Sequence, residues 1–154
     1  MKLFPWTKPK SLLNEEESRL IVKAIRHAER QTSGEVRVFV ESHCRFMDAL
    51  DRATELFFSL QMDKTESRNA TLVYVALKDH QFALFGDEGI HQKVGKEYWE
   101  RLAVELSESF RSKDNFAEAI SATVIEIGEA LHKHFPFQKF IDKNELPDAI
   151  VFGK

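Results

Sequence analysis

The sequence predicts an α/β protein: a three-layer α/β/α sandwich with a small mixed central sheet, built from a βαβ unit plus one antiparallel hairpin strand and flanked by helices. Three observations carry this. Leu72 to Leu77 is an unbroken apolar run, Leu-Val-Tyr-Val-Ala-Leu, of the length and two-sided apolarity of a strand buried between two layers. Glu35 to Glu41 alternates instead, with Val36, Val38 and Val40 on one side and Glu35, Arg37, Phe39 and Glu41 on the other, the period of a strand. Stretches before, between and after these two carry apolar residues at helical spacing. A strand, a helix and a second strand in one sheet make a right-handed crossover with the two strands parallel, and helices on both faces complete three layers.

Taken in order, residues 1–13 form a flexible arm in which Phe4 and Trp6 can dock on the body. The domain spans 14–135. Its first helix starts at Asn14, whose side-chain oxygen can cap exposed amides, and Glu15 to Glu17 suit the positive end of the helix dipole. Leu20, Ile21, Ala24, Ile25 and Ala28 form its apolar stripe, and Thr32-Ser33-Gly34 ends it. After the alternating strand, a helix over Phe46–Met62 places Ala49, Leu50, Ala53, Leu56, Phe57 and Leu60 on one face. The buried strand is followed by polar Lys78-Asp79-His80-Gln81 and apolar Phe82 to Phe85, so the pair reads as a hairpin. A short helix over Glu88–Val94 stops at Gly95. A longer one over Lys96–Phe110 turns inward Tyr98, Trp99, Leu102, Ala103, Leu106 and Phe110. Asp114 or Asn115 caps a last helix that buries Ala117, Ile120, Val124, Ile127 and Leu131. The tail, 136–154, carries Pro136 and Pro147 and is expected as irregular chain packed on the domain, anchored by Leu146, Ile150 and Phe152.

Composition narrows the function classes. The chain has 154 residues, 43% hydrophobic and 31% charged, enough for one domain with a sizeable core. A formal charge of −3 gives no basic field for nucleic acid. No stretch approaches the roughly 18 apolar residues of a membrane span, and the opening MKLFPWTKPK has no apolar signal core. Cys44 is the single cysteine, which suits a reducing compartment. The expectation is a cytoplasmic monomer without membrane insertion, with a protein partner left open.

Topology gathers residues that are far apart in sequence. With the first two strands parallel and the third antiparallel, the start of the first strand, the start of the second and the end of the third share one sheet edge. Glu35, Arg68, Asn69 and Asp87 therefore belong together. The helix from Lys96 covers roughly 22 Å at about 1.5 Å per residue, about a strand's length, and returns Asp114 to the same edge. Three carboxylates beside glycine-flexed backbone suit a hard cation, which takes oxygen ligands from carboxylates, carbonyls and water. Gly34, Gly86 and Gly89 allow carbonyls to turn inward. The same residues also admit a plainer reading, in which Asp87 caps the short helix through the Glu88 and Gly89 amides, Asp114 caps the last helix, and Glu35 pairs with Arg68 at the surface.

The run RNATLVYVALKDHQFALFGDEGI closely resembles the TPM domain, a family named from plant thylakoid proteins of photosystem II repair and a nematode receptor modulator. Thr32 to Val38, Tyr98-Trp99 and Asn144-Glu145-Leu146-Pro147-Asp148 match in the family's order, so the likeness runs from about Asn14 to Gly153. The resemblance implies a divalent-cation site, Ca2+ or Mg2+, and carries over to Glu35, Asp87, Glu88 and Asp114, with Arg68 and Asn69 as supporting residues of the edge. It implies a binding or accessory module. Plant relatives are described as acid phosphatases, so it also permits a weak metal-dependent phosphatase in which Asp87 and Arg68 hold a phosphate near the metal. No nucleophile elbow, phosphate loop or Cys-x5-Arg pattern accompanies that second reading. The third is a protein-interaction domain whose acids are caps.

Overall fold

The computed structural model describes residues 12–112, 115–137 and 150–153. Its elements are α1 (Glu15–Glu29), β1 (Glu35–Glu41), α2 (Ala49–Ser59), β2 (Ala70–Ala76), β3 (Gln81–Gly86), α3 (Glu88–Val94), α4 (Lys96–Ser112), α5 (Phe116–His134) and β4 (Val151–Phe152). One four-stranded sheet runs in the order β3-β2-β1-β4. β1 is parallel to both β2 and β4, and β3 is antiparallel to β2. Glu35 stands opposite Ala70 and Thr71 opposite Gly86, so the three strand ends foreseen at one edge do meet there.

Strand periodicity sorts the core into two layers. Val36, Val38, Val40, Val73, Val75 and Leu84 pack under α1, α3, α4 and α5. Phe39, Leu72, Tyr74 and Ala83 pack with Phe57 and Met62 under α2. Fully burying one large apolar side chain contributes about 1.5–3 kcal/mol relative to leaving it in water. α2 is held chiefly by Leu56 and Phe57, the large residues it buries. Among the described residues no helix is long and apolar enough to cross a membrane.

The helix ends follow local chemistry. Asn14 Oδ1 accepts the Glu17 N–H at 2.7 Å while Glu17 Oε1 accepts the Asn14 N–H at 2.9 Å, a reciprocal cap at the start of α1. Asn115 caps α5 by accepting the Glu118 N–H at 3.2 Å. Its alternative, Asp114, lies outside the described residues, as do residues 1–11 with Phe4 and Trp6, and Leu146 of the tail.

Two expectations need correction. The helix placed over Phe46–Met62 is shorter, Ala49–Ser59. Asp48 caps it by accepting the Asp51 N–H at 2.8 Å, and Phe46 stands outside with φ 71° and its side chain 99% exposed. Gln61, at φ 59°, turns the chain at the other end so that Met62 is buried against the sheet. The tail is not wholly irregular either. Val151 and Phe152 add β4 to the free side of β1, and Gly153 continues the pairing with an N–H bond to Val40 O of 2.7 Å. Backbone groups on an open strand edge need partners, and β4 supplies them for one end of β1. Near the other end, Glu29 Oε2 accepts the Val36 N–H at 2.9 Å. Ile150 packs on the core as expected, whereas Phe152 is largely exposed.

Candidate functional site

The edge at the start of β1 and β2 and the end of β3 is built from three short segments. The Thr32–Gly34 turn is tied to the end of α5: the Thr32 hydroxyl reaches the Leu131 carbonyl at 3.1 Å and also donates to the Phe135 carbonyl. The same hydroxyl oxygen accepts the Gly34 N–H at 2.9 Å. A side chain at Gly34 would meet Leu131 Cδ2 at 2.6 Å, so glycine lets the turn lie against α5. Asn69 Nδ2 donates to Ser33 Oγ at 3.4 Å, joining this turn to β2. The Asp87 N–H bonds to Ala70 O at 2.9 Å and the Gly89 N–H to Arg68 O at 2.8 Å, which brings the start of α3 onto the segment before β2.

At this junction Asp87 and Arg68 form a two-pronged pair. Arg68 Nε lies 2.6 Å from Asp87 Oδ2 and Nη2 lies 2.8 Å from Oδ1. A third contact joins Nη1 to Glu88 Oε1 at 3.3 Å. The Asp87 side chain is 3% exposed and that of Arg68 36%. The hydrogen bond to Asp87 raises the Arg68 pKa above its ordinary value. Asp87 Oδ1 also accepts the Glu88 N–H at 2.8 Å, which caps α3. The Gly89 amide, expected as a second capped donor, serves Arg68 O instead.

The structure therefore brings together Asp87, Glu88, Arg68 and Asn69. It places Glu35 at the same edge, where its N–H faces Asn69 O at 3.4 Å and its side chain is buried rather than at the surface. Asp114 lies outside the described residues. Among the described residues no three His, Cys, Asp or Glu side chains gather as a ready-made metal cluster. The edge does hold oxygens that sequence reasoning could not find. Asn69 Oδ1, Thr65 Oγ1 and Thr71 Oγ1 are buried and make no hydrogen bond within the described structure. Buried polar atoms are nearly always satisfied by protein or ordered water, and these three lie within or just before the start of β2.

The opposite edge carries a polar network that sequence reasoning also missed. Arg52 holds both oxygens of Glu41, Nε to Oε2 at 3.0 Å and Nη2 to Oε1 at 3.1 Å, and the buried Tyr74 hydroxyl donates to Oε2 as well. The hydrogen bond to Glu41 raises the Arg52 pKa, and burial raises that of Tyr74. This network is complete and pins α2 to β1 and β2.

Beside it, Asp79 in the hairpin loop accepts from His43 Nδ1 at 2.8 Å and from the Cys44 N–H at 2.8 Å. The bond from His43 first, and then that from Cys44, lower the Asp79 pKa. A depressed carboxyl contributes stability that is present in full above its unfolded pKa, about 3.9, and is lost as pH falls through the lower folded value. Asp79→Asn should therefore lower the Tm at pH 7, and its deficit against the parent should shrink once the pH drops below about 3.9. Melting curves of both proteins from neutral to acid pH check this, and a deficit independent of pH would refute it.

The comparisons with known proteins agree with the fold. The structure aligns with the NMR structure of BA42 protein from the psychrophilic bacterium Bizionia argentinensis at a TM-score of 0.84 and 38% identity, over 96% of this chain and all of the other. A search of curated proteins gives no match. The TPM domain profile matches residues 7–130, most of the sequence and every element from α1 to β3 together with α3 and α4, and the chain thus belongs to the TPM domain family.

Proposed function

We propose that this TPM domain binds a hard divalent cation, Ca2+ or Mg2+, at the edge formed by Glu35, Asn69, Asp87 and Glu88, and acts as a binding or accessory module. Asp114, expected from the sequence as a further ligand, lies outside the described residues. The reading is supported by buried oxygens without hydrogen-bond partners among the described residues, Asn69 Oδ1, Thr65 Oγ1 and Thr71 Oγ1, in and just before the start of β2, at the end of the sheet where the Glu35 and Asp87 side chains are also buried. Neutral amide and hydroxyl oxygens together with carboxylates are the donor chemistry that Ca2+ and Mg2+ accept. The ion would supply charge neutralisation at this edge and fix the order of its three segments. A cytoplasmic setting is suited by the free thiol of Cys44.

An amide NMR titration of chelator-stripped protein tests it. Addition of Ca2+, and separately Mg2+, should move resonances at 33–36, 65–71 and 86–90 and saturate between roughly micromolar and millimolar ion. A spectrum that stays still to high millimolar of both ions would leave those acids as caps and ion-pair partners. Hydrolysis of a phosphate monoester, lost in Asp87→Asn with the fold retained, would move the reading from module to enzyme.

A further inference from the structure

We infer that a second copy of this chain docks on the open side of β3, so that two four-stranded sheets join edge to edge across a two-fold axis. Such a dimer replaces the monomer expected from the sequence and does not depend on cation binding.

β3 ends the sheet, and among the described residues no strand pairs with its outer side. The Asp87 N–H bonds to Ala70 O on β2. Backbone groups of an antiparallel strand alternate in direction along the chain. Gln81, Ala83 and Phe85 therefore also turn to β2, and the N–H and C=O groups of Phe82, Leu84 and Gly86 turn outward. Natural proteins blunt such an edge with charge, proline or a bulge. β3 reads Gln-Phe-Ala-Leu-Phe-Gly, with no charge and no proline, and its register with β2 runs without a bulge. The Leu84 side chain is already in the core, so a docked strand would meet its backbone and the half-buried Phe82, Phe85 and Gly86.

The flank of this edge is apolar as well. α2 turns Arg52 toward Glu41 on β1, while Phe58 lies against Phe85 of β3 with ring centroids 6.0 Å apart. Leu50, Thr54 and Phe58, spaced four apart, follow one another along the β3 side of α2. Leu50 is 53% exposed and Phe58 47%. The Thr54 hydroxyl donates to Leu50 O at 2.8 Å, so the one polar group of this stripe is satisfied inside the helix.

Self-complementarity identifies the occupant. An antiparallel pairing of β3 with itself, centred on Leu84, sets Phe82 of one copy opposite Gly86 of the other, and Ala83 opposite Phe85. Each aromatic ring of the strand then faces a small residue. The α2 stripe repeats the pattern around Thr54, with Leu50 of one copy against Phe58 of the other. α2 returns from the end of β1 to the start of β2, so it runs in the direction of β3. Thr54 stands about 6 Å along α2 from Phe58, at about 1.5 Å per residue. Leu84 and Ala83 stand about 3 and 7 Å along β3 from Phe85. One two-fold axis therefore serves strand and helix together. A foreign peptide strand could pair with the edge but would leave the α2 stripe bare.

The test is sedimentation velocity on the full chain from about 1 μM to 1 mM, the range in which modest interfaces assemble. Wild type should shift from monomer to dimer within that series. Phe58→Glu should weaken the dimer at least about tenfold, because each interface carries the change twice at an aromatic anchor. Leu50→Glu should do the same, and it spares the ring contacts that Phe58 makes with Phe57 and Phe85. Ile125→Glu, on the exposed side of α5, should stay within about twofold of wild type, as a rim or remote position does. Amide hydrogen exchange gives a second readout. Protection at Phe82, Leu84 and Gly86 should rise with concentration in wild type and not in Leu50→Glu. A wild type that stays monomeric throughout would overturn the inference. A dimer indifferent to both α2 variants, or weakened as much by Ile125→Glu, would place the interface elsewhere and overturn it. Protection of the three amides that does not change with concentration would put a segment of the same chain on the edge, and would overturn it too.

Discussion

Gly89→Ala should destabilise the protein by about 2–4 kcal/mol, combining overpacking with the loss of a backbone hydrogen bond. The substitution is expected to do the reverse on an ordinary helix surface, where replacing glycine by alanine gains roughly 0.5–1 kcal/mol. The sign is decided by backbone contact. A Cβ at residue 89 would lie 2.1 Å from Ser67 O and 2.6 Å from Arg68 O. Neither atom is the end of a flexible side chain, so α3 itself must move away. That movement breaks the Gly89 N–H to Arg68 O bond and pulls Asp87 from Arg68, since Asp87 caps the same helix. A domain of this size loses roughly 2–4 °C of Tm per kcal/mol, so thermal melting resolves the effect easily. Gly95→Ala is the contrast: Gly95 has φ 80° but nothing within 4 Å of the added carbon. Only the backbone penalty applies there, on the order of 1–3 kcal/mol, because φ 80° with ψ 167° is a region essentially confined to glycine. A Gly89→Ala variant as stable as the parent would mean that α3 is not seated on the segment before β2, and the cation edge would lose its framework.

Much of this fold is legible in the sequence because it rests on local periodicity. The alternation of Val36, Val38 and Val40 identifies both the strand and its face, and the two-sided apolarity of Leu72 to Ala76 identifies the buried strand. Asn14 and Asp87 mark helix starts through side-chain oxygens that do cap them, and Gly95 marks the break between α3 and α4. What local pattern cannot reach is pairing across distance. β4 is two residues long, and it is a strand only because the chain returns to the open side of β1. Phe46 belongs by composition to the helix that follows, but Asp48 captures the first amides and excludes it. At the candidate edge the juxtaposition of Asp87 with Arg68 follows from strand direction alone. The two-pronged contact and the unpaired Asn69 Oδ1 do not, because hydrogen-bond satisfaction is decided by packing in three dimensions. Glu41 is the clearest case. The alternation assigns it to the face that α2 covers, and a carboxylate there must have a partner. Nothing local names Arg52, eleven residues on, or Tyr74 on the neighbouring strand.

That network yields the second large effect, which depends on which member is removed. Arg52→Met should cost about 2–4 kcal/mol, somewhat below the 3–5 kcal/mol for breaking a fully buried pair. The reduction reflects Arg52, which is 27% exposed and so leaves water a partial path to the vacated side. Glu41 is 7% exposed and, among the described residues, would keep only the Tyr74 hydroxyl as a donor. Removing all three polar groups together, Glu41→Leu with Arg52→Met and Tyr74→Phe, should recover most of that loss, because no buried charge or hydroxyl is then left unpaired. Replacing a complete buried network by apolar groups of similar volume is often neutral, and here Phe39 and Ala76 already line the same layer. Gly153 constrains the choice: a Cβ there would lie 2.8 Å from Glu41 Oε1, so the branched leucine side chain must fit under the β4 backbone. Chemical denaturation of the parent, the single and the triple variant measures both quantities. A triple variant no better than Arg52→Met would show that the network contributes net stability beyond satisfying its own members, and that Glu41 is a true tie between β1 and α2. Recovery to near the parent would show instead that its chief contribution is specificity, fixing where α2 lies across the sheet by penalising every arrangement that leaves Glu41 unpaired.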